Sequence, residues 1–149
     1  MRIEDEIKGR FRNDYHKGMI NLAYTVKQLS YDFLQLLKKH GLTEPQYNIL
    51  RVLRGNRSGR PASIGYIKDR MLDKSSDVSR IIDRLFAKGY IDRNENRGDR
   101  RQKDIVITEK GLGLLDKMDD CEKKVDMLLA NLTPNEIKEL NRLLDKTRG

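Results

Sequence analysis

Arg80 and Arg84 stand four residues apart in Ser76-Asp-Val-Ser-Arg-Ile-Ile-Asp-Arg-Leu-Phe-Ala-Lys88, so on a helix they project from one face. Val78, Ile81, Ile82 and Leu85 take the opposite face, and Ser76, Asp77, Ser79, Arg80, Asp83 and Arg84 turn outward. A guanidinium is a permanently charged fork of donors that fits phosphate oxygens and the paired acceptors on a guanine edge. By itself, the pattern also describes an ordinary amphipathic helix with a solvated face. A second group argues against that reading. Arg93, Arg97, Arg100, Arg101 and Lys103 fall within eleven residues, opposed only by Glu95 and Asp99. Asp99 is expected to pair with the Arg101 guanidinium and hold it extended.

The charge of the whole chain points to the same place. Its formal net charge is +8. Residues Arg51 to Lys103 carry 15 basic and 7 acidic side chains, and the remaining 96 residues carry 16 of each sign. The entire surplus lies in the middle third, which suits a surface facing phosphates better than a general solubility charge. A composition of 37% hydrophobic and 36% charged residues suits long, solvent-washed helices. One cysteine, Cys121, and two histidines, His16 and His40, allow neither an internal disulfide nor a zinc or iron–sulfur site, so no metal or cofactor is expected. There is no Gly-rich phosphate loop, no nucleophile paired with histidine and no diagnostic carboxylate pair, and catalysis is not expected. No signal-peptide core or membrane-length apolar run occurs, so a cytoplasmic protein is the expectation.

The elements that must carry these side chains follow from apolar spacing. Met19, Leu22, Val26, Leu29, Phe33 and Leu36 form a seam on a helix from Asp14 to Lys39, closed at Gly41. Thr43-Glu-Pro-Gln46 reads as a capping box opening a second helix with Tyr47, Leu50 and Leu53 inward. Ser63 caps a short helix to Met71 with Ile64 and Ile67 inward, and a serine pair introduces the helix from Ser76 to Lys88. Tyr90 to Arg93 and Asp104 to Ile107 then read as two strands of a hairpin with a basic tip. Thr108 caps a fifth helix carrying Leu114, Met118, Cys121, Val125 and Leu128, and Thr133 to Glu136 boxes a last one with Ile137, Leu140 and Leu144. The expected fold is mainly α with a small β-hairpin: a winged helix-turn-helix flanked by N- and C-terminal helices. Residues 1–42 and 111–149 form the scaffold and 43–110 the reading head, all in one integrated domain. The terminal seams exceed what a small head can cover, which predicts a homodimer.

Three runs of residues carry a family resemblance. Ser75 to Leu85, Lys88-Gly-Tyr-Ile91, and Asp99 to Thr108 with Gly111 resemble the MarR family of bacterial regulators over nearly the whole chain. The resemblance implies a dimer built from the first, fifth and last helices, with the Ser76–Lys88 helix in the major groove and Arg101 in the minor groove. It implies that Ser76, Asp77, Arg80 and Arg84 face bases, that Ser75 and Ser79 hold the backbone, and that Arg97, Asp99, Arg100 and Arg101 act at the wing. The partner is then a pseudo-palindromic double-stranded operator with half-sites ~34 Å apart. Many members release DNA when a small ligand binds between scaffold and head, and Tyr15, His16, Tyr24 and Tyr47 are candidates for such a pocket. Oxidant sensing by an N-terminal cysteine has no counterpart here, and Cys121, on an apolar stripe, reads as a buried thiol. Gly65 departs from a good helix former and is read as allowing close packing. The resulting expectation is a sequence-specific dimeric regulator, a repressor relieved by a small ligand. The alternative is a winged-helix module docking on an acidic protein.

Overall fold

Where most of these helices begin is decided by one side chain that satisfies their first free amides. The computed structural model describes residues 1–149, the side chains of Cys121 and Glu122 excepted. The expected burial of the Cys121 thiol lies outside the described residues. The elements in order are α1 (Ile3–Glu6), α2 (Asp14–Lys38), α3 (Glu44–Gly55), α4 (Ile64–Arg70), α5 (Val78–Ala87), β1 (Ile91–Glu95), β2 (Lys103–Ile107), α6 (Glu109–Lys117), α7 (Asp119–Met127) and α8 (Pro134–Arg148). The chain divides into two compact units, Met1–Leu36 and Leu37–Gly149.

In the first unit, α1 is tied to α2 by two polar contacts. The Lys17 ammonium lies 2.5 Å from the Glu4 carboxylate and, with the main-chain amide bond, holds its pKa down to about 2. The Tyr24 hydroxyl donates to Glu6 at 2.7 Å. Along α2 the apolar seam begins in the open, with Met19 63% and Val26 52% exposed.

In the second unit, Thr43 Oγ1 accepts from the Gln46 amide at 3.3 Å while Gln46 Oε1 accepts from the Thr43 amide at 3.1 Å, the reciprocal box the sequence predicts. Helix α3 buries Tyr47, Ile49, Leu50 and Leu53. Ser63 caps α4 through the Tyr66 amide at 3.1 Å, and Ile67 is fully buried, whereas Ile64 stays half-exposed. Gly65 meets nothing closer than Ser63 Oγ at 3.8 Å, so no close packing requires it, contrary to expectation. Helix α5 packs Val78, Ile82 and Leu85 into the same core, each such aliphatic contributing ~1.5–3 kcal/mol on burial.

The hairpin pairs Ile91 with Ile107 at its base and Glu95 with Lys103 towards its tip. Ala62 adds a third-strand bridge: its amide donates to the Ile105 carbonyl at 3.1 Å, and its carbonyl accepts from the Ile105 amide at 2.8 Å. The expected single fifth helix is two. Met118 leaves helical geometry (φ −97°, ψ 2°), and its amide tightens onto the carbonyls of Leu115 and Asp116. The three-four apolar spacing runs on through the break and so gave no sign of it. Helix α8 opens on the predicted Thr133–Glu136 box but has no buried residue. Among the described residues no helix is long and apolar enough to cross a membrane.

Gly111, in the first turn of α6, is where the hairpin and the following helix come closest. A Cβ there would stand 2.4 Å from the Tyr90 carbonyl oxygen and 2.7 Å from Ile107 Cγ1. The main chain cannot yield at that distance as a flexible side-chain end could. In an open helix, glycine to alanine gains up to ~1 kcal/mol. Here Gly111→Ala should instead lower the stability of the protein by ~1–3 kcal/mol in urea denaturation, with the slope of the transition unchanged.

Candidate nucleic-acid interface

The turn between α4 and α5 is held by side chains that return to the main chain. Lys74 Nζ donates to the Asp69 carbonyl at 2.5 Å and so closes the end of α4. Asp73 Oδ1 accepts from the Ser75 amide at 2.9 Å and the Ser75 hydroxyl at 2.6 Å, and these bonds pull the Asp73 carboxyl below its usual range. Asp77 Oδ1 then caps α5 through the Arg80 amide at 3.2 Å. The expected helix start at Ser76 is therefore corrected to Val78. Asp77, expected at a base edge, spends its carboxylate on the cap. Ser75, expected to hold a phosphate, already donates its hydroxyl proton to Asp73. Ser76 precedes the helix and is half-buried.

Two outward residues of α5 are also engaged. The Arg93 guanidinium of β1 forms an ion pair with Asp83 and lies 4.2 Å over the Phe86 ring. This pair links the hairpin to the exposed face of α5, and the ring contact adds ~0.5–1 kcal/mol at a partly exposed site. No sequence rule pairs residues ten apart across a turn, which is why Arg93 looked like another groove cation. The polar side chains that remain outward on α5 are Ser79, Arg80 and Arg84, all exposed.

At the hairpin tip the side chains of Asn96 and Asp99 hold the main chain. Asn96 Oδ1 accepts from the amides of Gly98 at 2.8 Å and Asp99 at 3.0 Å, and its Nδ2 donates to Asp104 at 2.9 Å. Asp99 Oδ1 accepts from the Arg101 amide at 2.9 Å. The carboxylate therefore fixes the backbone of Arg101 and not its guanidinium, which corrects the expected pairing. A short acid two residues upstream reaches a main-chain amide more readily than a long arginine head. Asn96, one of several turn formers in the loop, thus folds the tip with its side chain. Among the described residues the guanidinium groups of Arg80, Arg84, Arg97, Arg100 and Arg101 make no ion pair or side-chain hydrogen bond. All five are exposed.

The residues expected around a ligand fall in both units. Tyr15 is 88% exposed. His16 Nδ1 accepts from the Arg12 amide at 3.2 Å, and its ring stands edge-on to Phe11. Tyr24 has its hydroxyl above the usual range, because the Glu6 carboxylate accepts its proton. Tyr47, in the second unit, is buried at 4% exposure, with the Arg51 guanidinium 5.8 Å from its ring centre. Among the described residues no group of three or more His, Cys, Asp or Glu could hold a metal ion.

Helices α3, α4 and α5 with a two-stranded hairpin define a winged helix-turn-helix protein. The model of the MarR family matches residues 40–102. The chain is 34% identical over 113 residues to the HTH-type transcriptional regulator TtmR of Methylorubrum extorquens, across 76% of this chain and 54% of TtmR. It is 29% identical over 131 residues to the HTH-type transcriptional regulator MhqR of Bacillus subtilis, across 87% of this chain and 88% of MhqR. The crystal structure of a MarR transcription factor from Planctomyces limnophilus superposes with a TM-score of 0.69 at 27% identity, covering 91% of this chain and 98% of that one. The chain thus spans about half the length of the first of these relatives. Its winged helix-turn-helix, residues 40–102, matches the MarR family.

The cap on α5 has a measurable consequence without any DNA present. Asp77→Ala should lower stability by ~0.5–2 kcal/mol in thermal or urea unfolding, and Asp77→Asn, which keeps an acceptor oxygen, should recover most of it. Equal losses in both variants would count against the cap.

Proposed function

We propose that this chain is a sequence-specific, dimeric DNA-binding transcription regulator. The observation that carries the reading is the set of five exposed guanidinium groups, unpaired among the described residues, on the outer face of α5 and the tip of the wing. Arg80 and Arg84, with Ser76 and Ser79 beside them, enter the major groove. Asp77 holds the end of the helix that delivers them, and Ser75 holds the turn before it. Arg97, Arg100 and Arg101 address the minor groove and its phosphates, with Asp99 setting the main chain from which Arg101 extends.

The exposed seams supply the argument for a dimer. Met19 and Val26 on α2, Met127 at 68% exposure on α7 and Leu143 at 47% on α8 leave apolar surface that a second copy would cover. Residues 1–42 and 111–149 then serve as the scaffold and 43–110 as the reading head. A two-fold pair of heads calls for a pseudo-palindromic operator with half-sites about one helical turn apart. Blocking a promoter, relieved by a small effector, is the regulatory mode proposed, in the cytoplasm and by binding rather than catalysis. Docking on an acidic protein is the second reading, favoured by the same positive surface.

Selection of bound duplexes from random DNA, followed by titration with salt, tests the reading. Operator affinity should fall about a thousandfold or more between 50 and 200 mM salt and exceed that for random duplex by at least as much. Arg101→Ala should weaken operator binding by ~1–3 kcal/mol, and unchanged affinity would remove the wing tip from the interface. Sedimentation should find a dimer at micromolar concentration. A monomer that nevertheless selects a palindrome would contradict the proposed scaffold.

A further inference from the structure

Two lysines beside the reading helix direct their ammonium groups at main-chain oxygens of other elements. Helix α5 ends in a glycine turn: Gly89 takes φ +76°, its amide donates to the Phe86 carbonyl at 2.9 Å, and the Tyr90 amide donates to the Leu85 carbonyl at 3.1 Å. Lys110 Nζ of α6 donates to the Lys88 carbonyl at 2.7 Å, at the negative end of α5. The same ammonium lies 5.1 Å over the Tyr90 ring. Thr108 Oγ1 donates to the Gly89 carbonyl at 2.7 Å. Lys88 Nζ in turn donates to the Gly41 carbonyl, just past the end of α2, at 3.2 Å. Three carbonyls at two helix ends are thereby held from α6 and α5 in one continuous chain of bonds.

We propose that Lys110, acting with Lys88, is a positioning residue that fixes the carboxyl end of α5 to the base of α6 and so sets the pitch at which the reading helix meets DNA. The inference rests on the DNA-binding reading above. Both lysines lie in or near the basic surface, where a phosphate contact would be the ordinary assignment. Their ammonium groups are instead committed to carbonyls, and a charge-assisted bond of this kind orients more than it attracts.

The test uses the full-length protein and the operator selected above, with half-site spacings altered by one base pair in each direction. Lys110→Gln should weaken operator binding about tenfold, the scale of one lost charge-assisted hydrogen bond. It should also narrow the gap in affinity between the best spacing and its neighbours, while the salt dependence keeps its slope. Lys110→Arg, which can still donate to the Lys88 carbonyl, should restore the spacing preference, and Lys88→Gln should resemble Lys110→Gln. A slope reduced by about one in Lys110→Gln would mark a phosphate contact and overturn the proposal. So would affinity and spacing preference that match the unaltered protein. Failure of the unaltered protein to prefer any duplex would sink the DNA-binding reading, and the positioning role with it.

Discussion

Like charges gathered on one surface repel one another, and this chain gathers them. Two guanidinium groups ~10 Å apart in water repel by ~0.4 kcal/mol, a term that grows with each further pair and each loss of solvent. A loose support would let the cations spread apart and lose their aim. The second unit answers with rigidity beneath the charge. Val78, Ile82 and Leu85 seat α5 in the core, and the Asp77 carboxylate ends it. Asn96 and Asp99 fold the wing tip through main-chain amides, so the arginines extend from a fixed backbone.

The cations divide by what they are bonded to. Arg93 is spent inside the molecule, on Asp83 and the Phe86 ring, and ties the hairpin to α5. Lys74, Lys88 and Lys110 are spent on carbonyls at helix ends. Those commitments leave the pair on α5 and the trio at the wing tip for a polyanion. Net charge alone would count all of these together. Partners distinguish the cations that build the frame from those that face outward, and Gly111 allows the frame to close against the Tyr90 carbonyl.

Much of this was legible beforehand, because capping boxes, turn glycines and apolar spacing are local. Thr43 with Gln46, Thr133 with Glu136, and Thr108 before Gly111 all start helices where their types predict. The two strands likewise fall within two residues of the expected runs. Sequence reasoning failed where several polar residues competed for one role. Ser75, Ser76 and Asp77 can each cap a helix, and only the folded turn, with Asp73 occupying Ser75, shows that Asp77 does so. It failed again where contacts are not local, as in the Ala62 bridge to Ile105 and the Arg93–Asp83 pair. The break at Met118 was hidden because Leu114, Met118 and Val125 keep the three-four spacing across it.

A joint grip of α5 and the wing on one duplex, the helix in the major groove and the tip in the adjacent minor groove, leaves a footprint in both grooves. Hydroxyl-radical cleavage of the bound operator, with guanine N7 methylation interference on the same fragment, observes both grooves at once. A joint grip predicts interference at guanines in each half-site and protected sugars across the minor groove beside them, repeated about one helical turn apart. Interference without flanking protection, or protection spread evenly along the fragment, would contradict it.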